Sequence, residues 1–219
     1  MHKLYYSPKS CSLAPHIVLE EIGKPYETEL AQAGEGVRTR TAEWHAINPK
    51  GRVPALTNVP GSIGGAPNLL TEVSAILNYL ADTNPEAGLV PKDASGRARV
   101  NEWLNWLSSN VHAMSFGQIW RPERFVDDER LYGAVQEKGR RNLADQFAYI
   151  ENLLGDGRKW AVGDAYSIAD PYLLLFWRWG NRIEIEMALY PAWSDLALRV
   201  MDRPAVRRVI ERTGITDVW

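Results

Sequence analysis

The sequence predicts an α/β domain followed by an all-α domain, and three observations carry that expectation. Short strand and helix signals alternate over the first eighty or so residues. The strand signal then disappears beyond a stretch at 84–91 that holds two prolines and a glycine, and eight of the nine tryptophans lie after it among apolar residues at helical spacing. With 219 residues, 45% of them hydrophobic and 24% charged, the chain is long enough for two cores and ordinary enough for a folded globular protein. The expected limits are 1–83 for the first domain, 84–91 for the linker and 92–219 for a helical bundle.

Leu4, Tyr5 and Tyr6 open a first strand. Leu13, Ile17, Val18 and Ile22 mark one face of a helix that Gly23, Lys24 and Pro25 end. A second strand fits 26–30, a polar, glycine-containing stretch follows, and 41–47 makes a short helix stopped by Asn48, Pro49, Lys50 and Gly51. Residues 54–56 and 69–71 read as neighbouring strands whose connection, 57–68, is long for a hairpin. Val73, Ile76, Leu77 and Leu80 place a helix over 72–81, which makes the order β-α-β-α-β-β-α.

Beyond the linker, Val100, Trp103, Leu104, Leu107, Val111 and Met114 mark one face of a long helix. Leu131, Val135, Leu143, Phe147, Ile150 and Leu154 mark a second that ends near Gly155. A third starts at Ser167, where Asp170 stands to complete a capping box and Tyr166 and Pro171 to close a hydrophobic staple.

Composition narrows the function. The net charge is -2 and residues 1–83 carry seven basic and eight acidic groups, so no basic tract points to a nucleic-acid partner. A lone cysteine, Cys11, cannot form an intramolecular disulfide, which favours a cytoplasmic location. The opening MHKLYYSPKS lacks the ~7–15-residue apolar stretch of a secretory signal. No window reaches the ~18 apolar residues of a membrane span, because Arg178 ends the richest run at 172–177. His2, His16, His45 and His112 lack the spacing and companions of a metal site, and Gly61, Gly64 and Gly65 lack the lysine of a P-loop. Neither a metal nor a nucleotide is expected.

Three places can carry chemistry. Cys11 sits where the chain turns into its first helix, where unpaired N–H groups and the helix dipole stabilise a thiolate, its own or a ligand's; the alternative is a small buried residue. At Arg52-Val53-Pro54 a proline opens a strand, and a cis bond there would turn the Val53 N–H and C=O outward to pair with an extended peptide; the alternative is an ordinary turn proline. At Leu70-Thr71-Glu72-Val73-Ser74 a strand passes into a helix whose N-terminus suits an anion while Glu72 suits an ammonium, although acidic residues in a first helical turn also serve stability alone.

A thiol, a peptide backbone and a γ-glutamyl end are the parts of glutathione. Tyr6-Ser7-Pro8 through Cys11-Ser12-Leu13-Ala14-Pro15-His16, then Asn48-Pro49-Lys50-Gly51-Arg52-Val53-Pro54-Ala55-Leu56, resemble the cytosolic glutathione transferases, and within them the bacterial beta class. Thr71-Glu72, Ala75-Ile76, Glu102-Trp103-Leu104-Asn105 with His112, and Ser167-Ile168-Ala169-Asp170 extend the resemblance along the chain. It implies a thioredoxin-like first domain and a homodimer. It also implies that Cys11 meets the glutathione sulfur, with Tyr6 or Ser12 as supporting donors, and that Val53, at the Pro54 edge, pairs with the cysteinyl backbone. Glu72 and the Val73 N–H would hold the γ-glutamyl end, Lys50 or Arg52 would lie near the glycyl carboxylate, and Asn105 and His112 would border the site, His112 to orient or protonate substrate.

Seven residues is close to two helical turns, which puts Asn105 and His112 on one stripe with Ser108 and Ser109; a solvated helix face is the alternative. Trp106, Met114, Phe116 and Trp120 are expected to line the site of a small hydrophobic electrophile. Three departures from the family pattern stand out: Val73 in place of a serine or glycine, Ala113 in place of a lysine, and the long 57–68 loop. The leading expectation is a transferase that activates the glutathione thiol. The rivals are disulfide or peroxide reduction through a Cys11 mixed disulfide and a non-catalytic binding or stress-adaptor role.

Overall fold

The computed structural model describes residues 1–31 and 38–215. The chain divides into two units, Met1–Val90 with Arg199–Trp219, and Pro91–Leu198.

In the first unit β1 (His2–Tyr6), α1 (Leu13–Ile22), β2 (Tyr26–Leu30), α2 (Ala42–Ile47), β3 (Ala55–Leu56), β4 (Leu70–Thr71) and α3 (Val73–Asp82) follow the expected order. The sheet runs β2-β1-β3-β4. β1 lies parallel to β2 with His2 opposite Tyr26, and antiparallel to β3, which is antiparallel to β4 with Ala55 opposite Thr71. Leu4, Ile17, Val18, Leu56, Ile76, Leu77 and Leu80 are fully buried, so the apolar spacing that predicts α1 and α3 is the spacing of one core. Thr41 caps α2 by accepting from the Trp44 N–H at 3.2 Å. The polar, glycine-containing stretch after β2 falls on 32–37, outside the described residues.

A last helix, α9 (Pro204–Thr213), packs against α1, which is why the chain's end groups with the first unit and not with the helical domain expected at 92–219. Its basic face meets the acidic end of α1. Arg203 grips Glu21 through Nε at 2.5 Å and through its terminal NH2 group at 2.9 Å, and Arg208 Nε lies 2.6 Å from Glu20. Arg212 bonds both Glu20 and the Tyr26 hydroxyl.

The second unit holds α4 (Ala94–Trp106), α5 (Gly117–Trp120), α6 (Tyr132–Leu154), α7 (Asp170–Arg182) and most of α8 (Pro191–Met201). The expected long helix over 100–114 is not uniformly α-helical. At Leu107 it widens into a π-helical segment, Leu107–Phe116, and the Gly117 N–H reaches the His112 carbonyl five residues back. Alongside it α6 comes in at Gly139, where an added Cβ would stand 2.9 Å from the Ser115 carbonyl oxygen and 2.8 Å from Gln118 Cβ. Phe116, Phe147, Phe176 and Trp193 are fully buried and form an aromatic core, with ring centroids 5.9 Å apart for Phe116 and Phe176 and 4.7 Å for Phe147 and Trp193.

α7 begins at Asp170 with Ala169 as its N-cap, three residues after the expected start at Ser167, and the reciprocal bonds expected of the capping box are made in the turn just ahead of it. Asp170, wholly buried, accepts from the Ser167 N–H at 2.7 Å and from the Ala161 N–H at 2.7 Å, and the Ser167 hydroxyl receives the Ala169 N–H at 3.3 Å. The ring of Tyr166 meets Trp160 edge-on at 5.2 Å.

Candidate functional site

The loop between β1 and α1 is tied by serines. Ser12 Oγ receives the Ser7 N–H at 3.1 Å, donates to the Ser7 carbonyl at 3.0 Å and lies 2.8 Å from Ser10 Oγ. Ser12 is 1% exposed, so its hydroxyl serves the loop and is not turned out as the supporting donor expected of it. Tyr6, at the end of β1, is partly buried, with its ring 5.2 Å from that of His16.

This loop sets Cys11 just ahead of α1 and buries it, 8% exposed. Burial pushes the thiol up to about 12, its own backbone N–H pulls the other way, and the charges of Glu72 and Arg52 act in opposite senses. Cys11 therefore remains an S–H at neutral pH, contrary to a thiolate of its own at the helix start. The Sγ donates to the Val53 carbonyl at 3.4 Å.

The Val53-Pro54 bond is cis, and both residues are buried. The Val53 carbonyl is not turned fully outward, because it faces the thiol. Asn48 holds this corner in shape: its side-chain amide donates to the Arg52 carbonyl at 2.7 Å and its Oδ1 receives the Lys50 N–H at 3.1 Å. Gly51 takes φ 64 inside that turn, a conformation costly for other residues. Arg52 itself is exposed. The tie made by Asn48 is a role that the stop signal Asn48-Pro49-Lys50-Gly51 hints at without specifying.

β4 then delivers Glu72. It caps α3 with φ 73 and ψ 127 and makes no side-chain cap bond, so its carboxylate points away from the helix it introduces. Lys50 Nζ donates to Glu72 Oε1 at 2.6 Å and to Thr71 Oγ1 at 2.9 Å. Val73, the first residue of α3, buries its side chain at 6% exposure, and a first-turn N–H has no partner within its own helix. The first unit thus brings together Cys11, Val53, Lys50, Thr71 and Glu72, two helix N-termini and a short strand. Such a set can hold a thiol, a peptide backbone, an ammonium and a carboxylate.

The residues expected from the second unit do not form one surface. The π-helical widening breaks the stripe drawn on α-helical spacing. Asn105 is exposed, donates to the Asn101 carbonyl at 2.9 Å and accepts at its own carbonyl from Ser109 Oγ at 2.8 Å. His112 instead turns its ring toward Trp179 and Phe176, at 5.1 and 6.0 Å. The electrophile quartet also divides. Phe116 is fully buried and its ring lies 4.8 Å from that of Trp120, which is partly buried under the Arg182 guanidinium. Met114 is 46% exposed, while Trp106 lines a groove of about 720 Å³ with Trp103, Tyr149 and Leu153. Phe116 is therefore core and cannot line a substrate surface.

Among the described residues no group of three or more His, Cys, Asp or Glu gathers as metal ligands, and no helix is long and apolar enough to cross a membrane.

The models of the glutathione S-transferase N-terminal domain and of the glutathione S-transferase C-terminal domain match residues 1–82 and 125–204. Glutathione S-transferase GstA of Escherichia coli O157:H7 is 31% identical over 214 residues, covering 97% of this chain and 99% of that protein. Disulfide-bond oxidoreductase YfcG of Escherichia coli K12 is 29% identical over 233 residues, covering 99% and 98%. The crystal structure of a glutathione transferase homologue from Sulfitobacter with bound glutathione superposes with a TM-score of 0.86 at 28% identity, covering 97% and 98% of the two chains. With both domain models matched and a relative of this identity covering nearly the whole chain, the chain belongs to the glutathione S-transferase family.

Proposed function

We propose that this protein binds glutathione in its first unit and activates the bound thiol for attack on small hydrophobic electrophiles, working as a homodimer. The observation that carries the reading is the convergence of Cys11, Val53 and the Lys50–Glu72 pair on one edge, because these groups complement a thiol, a peptide and an amino-acid end. The Val53 backbone pairs with the cysteinyl unit of glutathione, Glu72 takes its ammonium, the Val73 N–H takes the neighbouring carboxylate, and Lys50 or Arg52 faces the glycyl end. The exposure of Asn105 leaves it open to a partner subunit's ligand.

Cys11 acts as a donor in this scheme. A protonated thiol can leave the Val53 carbonyl and hydrogen-bond a glutathione thiolate, and the first turn of α1 adds its dipole. Both favour the charged form of the ligand's sulfur. The glutathione proton passes to solvent, the thiolate forms a C–S bond to the electrophile, and the displaced group leaves with its electron pair or, in an addition, the resulting carbanion takes a proton.

The similarity to a disulfide-bond oxidoreductase favours a second reading, in which Cys11 attacks a disulfide and forms a mixed disulfide with glutathione. Replacing Cys11 with alanine separates the two. In the transferase reading C11A keeps glutathione binding, measured by tryptophan fluorescence, and loses about tenfold in kcat/KM with a halogenated aromatic, the cost of about one hydrogen bond to a charged group. Complete loss of hydroxyethyl disulfide reduction with unchanged conjugation would show dual use of the site, with Cys11 serving the reduction and not the conjugation, and loss of neither would remove Cys11 from both schemes. No saturable binding at millimolar glutathione would leave only a non-catalytic binding role.

A further inference from the structure

Glu72 already holds a cation, and that cation belongs to the chain itself. Lys50 Nζ sits 2.6 Å from Glu72 Oε1 and 2.9 Å from Thr71 Oγ1, close to where a ligand ammonium would seek the carboxylate. We infer that Lys50 is an internal competitor for amine recognition at Glu72: a ligand's ammonium binds by exchange with Lys50, and the site therefore selects ligands whose second anionic group receives the displaced lysine. The inference rests on the glutathione reading above and concerns the selectivity of that site.

Three features of the geometry support exchange over a fixed anchor. The Lys50 and Glu72 side chains are 40% and 68% exposed, and ion pairs at such exposure are weak enough to be traded for an equivalent pair. The backbones that carry them are held. The Lys50 N–H is bonded to Asn48 Oδ1, Thr71 pairs with Ala55 across the sheet, and the Glu72 carbonyl accepts the Ile76 N–H at 3.0 Å. The two long side chains can therefore move without moving the edge that binds the peptide. Finally, the Glu72 side chain makes no bond to its own helix, so losing Lys50 removes nothing from the cap of α3.

Charge then decides what the site accepts. While Lys50 pairs with Glu72 their charges cancel, and a ligand bearing only an ammonium gains one pair by breaking another. A ligand that also carries a carboxylate within reach of the freed lysine gains a second pair, and glutathione carries two carboxylates. Lys50 is a specificity-determining residue on this argument, because it penalises any amine that arrives without an anion to accept it.

The test compares wild type, K50M and K50R in their binding of glutathione and of glutathione esterified at its glycyl carboxylate. Dissociation constants come from tryptophan fluorescence, and circular dichroism checks the fold. Exchange predicts that K50M binds the glycyl ester about two- to fivefold more tightly than wild type does, since nothing has to be displaced, while its affinity for glutathione does not rise and its preference for glutathione over the ester shrinks. K50R should restore the wild-type preference. An ester affinity that is unchanged or weaker in K50M would overturn the competitor role and leave Lys50 as an anchor or a bystander. A wild type that binds glutathione while K50M behaves in that way sinks only the exchange, whereas a wild type that binds neither ligand sinks the glutathione reading and the exchange together.

Discussion

The entries to α3 and α7 use the same kind of residue for opposite ends. At α7, Asp170 is buried, faces the N–H groups of Ala161 and Ser167, and binds the Ser167 hydroxyl at 3.2 Å. At α3, Glu72 is exposed, sits at a positive φ, caps nothing with its side chain and faces Lys50. A carboxylate whose lone pairs are met inside the protein is committed to the fold. One that looks away from its helix and holds a loosely paired cation stays available to a ligand. An acidic residue at a helix start thus has two readings in sequence, and burial together with the identity of its donors separates them.

The comparison breaks first at Asp170. D170A strands three donors in the interior and should lower stability by about 3–5 kcal/mol, read as a fall in urea midpoint at constant slope. A loss under 1 kcal/mol would mean that the box is ornamental. A second test uses pH and a third helix entry, the first turn of α1. His16 is 1% exposed, and its Nε2 finds no hydrogen-bond partner among the described residues. Burial, helped by the Arg212 charge, lowers its pKa to about 4 from an ordinary 6.5. The unfolded chain takes this proton near pH 6.5 and the folded one only near pH 4. The contribution of neutral His16 is therefore whole above pH 6.5, erodes as pH falls through that window and is lost below about 4, for a total of about 3 kcal/mol. H16F, which keeps a ring against Tyr6 and Tyr26, should flatten that part of the stability profile. The smallest effect belongs to Glu72. E72Q should leave the urea midpoint within about 0.5 kcal/mol of wild type while weakening glutathione binding about tenfold, and a large stability loss would erase the contrast with Asp170.

Much of this was legible in the sequence because the signals are local. The Leu13 to Ile22 face, the Gly23 stop, the Ser167 to Asp170 box and the strands around Cys11 and Val53 depend on neighbours within a few residues. Three features were not. The π-helical widening at Leu107–Phe116 leaves the apolar spacing of Leu104, Leu107 and Val111 nearly unchanged, yet it turns His112 toward Trp179 and leaves Asn105 outside. The docking of α9 on α1 joins Arg203 to Glu21 across most of the chain, where periodicity carries no information about partners. The pairing of Lys50 with Glu72 needs β3 beside β4, and only the sheet order brings those two residues together. The last two are contacts between segments that were themselves read correctly, whereas the first is a change of helix type inside one segment that apolar spacing does not register.

Gly139 makes the aromatic wall of the second unit depend on a residue with no side chain. An added methyl group there would meet Ser115 oxygen and Gln118 Cβ at under 3 Å, so α6 would have to draw back from the π-helical segment. Ile119 stands nearly as close, with its Cγ1 3.0 Å from the added atom, so three residues of the facing stretch would meet the methyl group together. Variation at 139 would thus act on the spacing between two stretches of helix before it touched any side-chain chemistry, so a residue that contributes no side chain limits how closely they can approach.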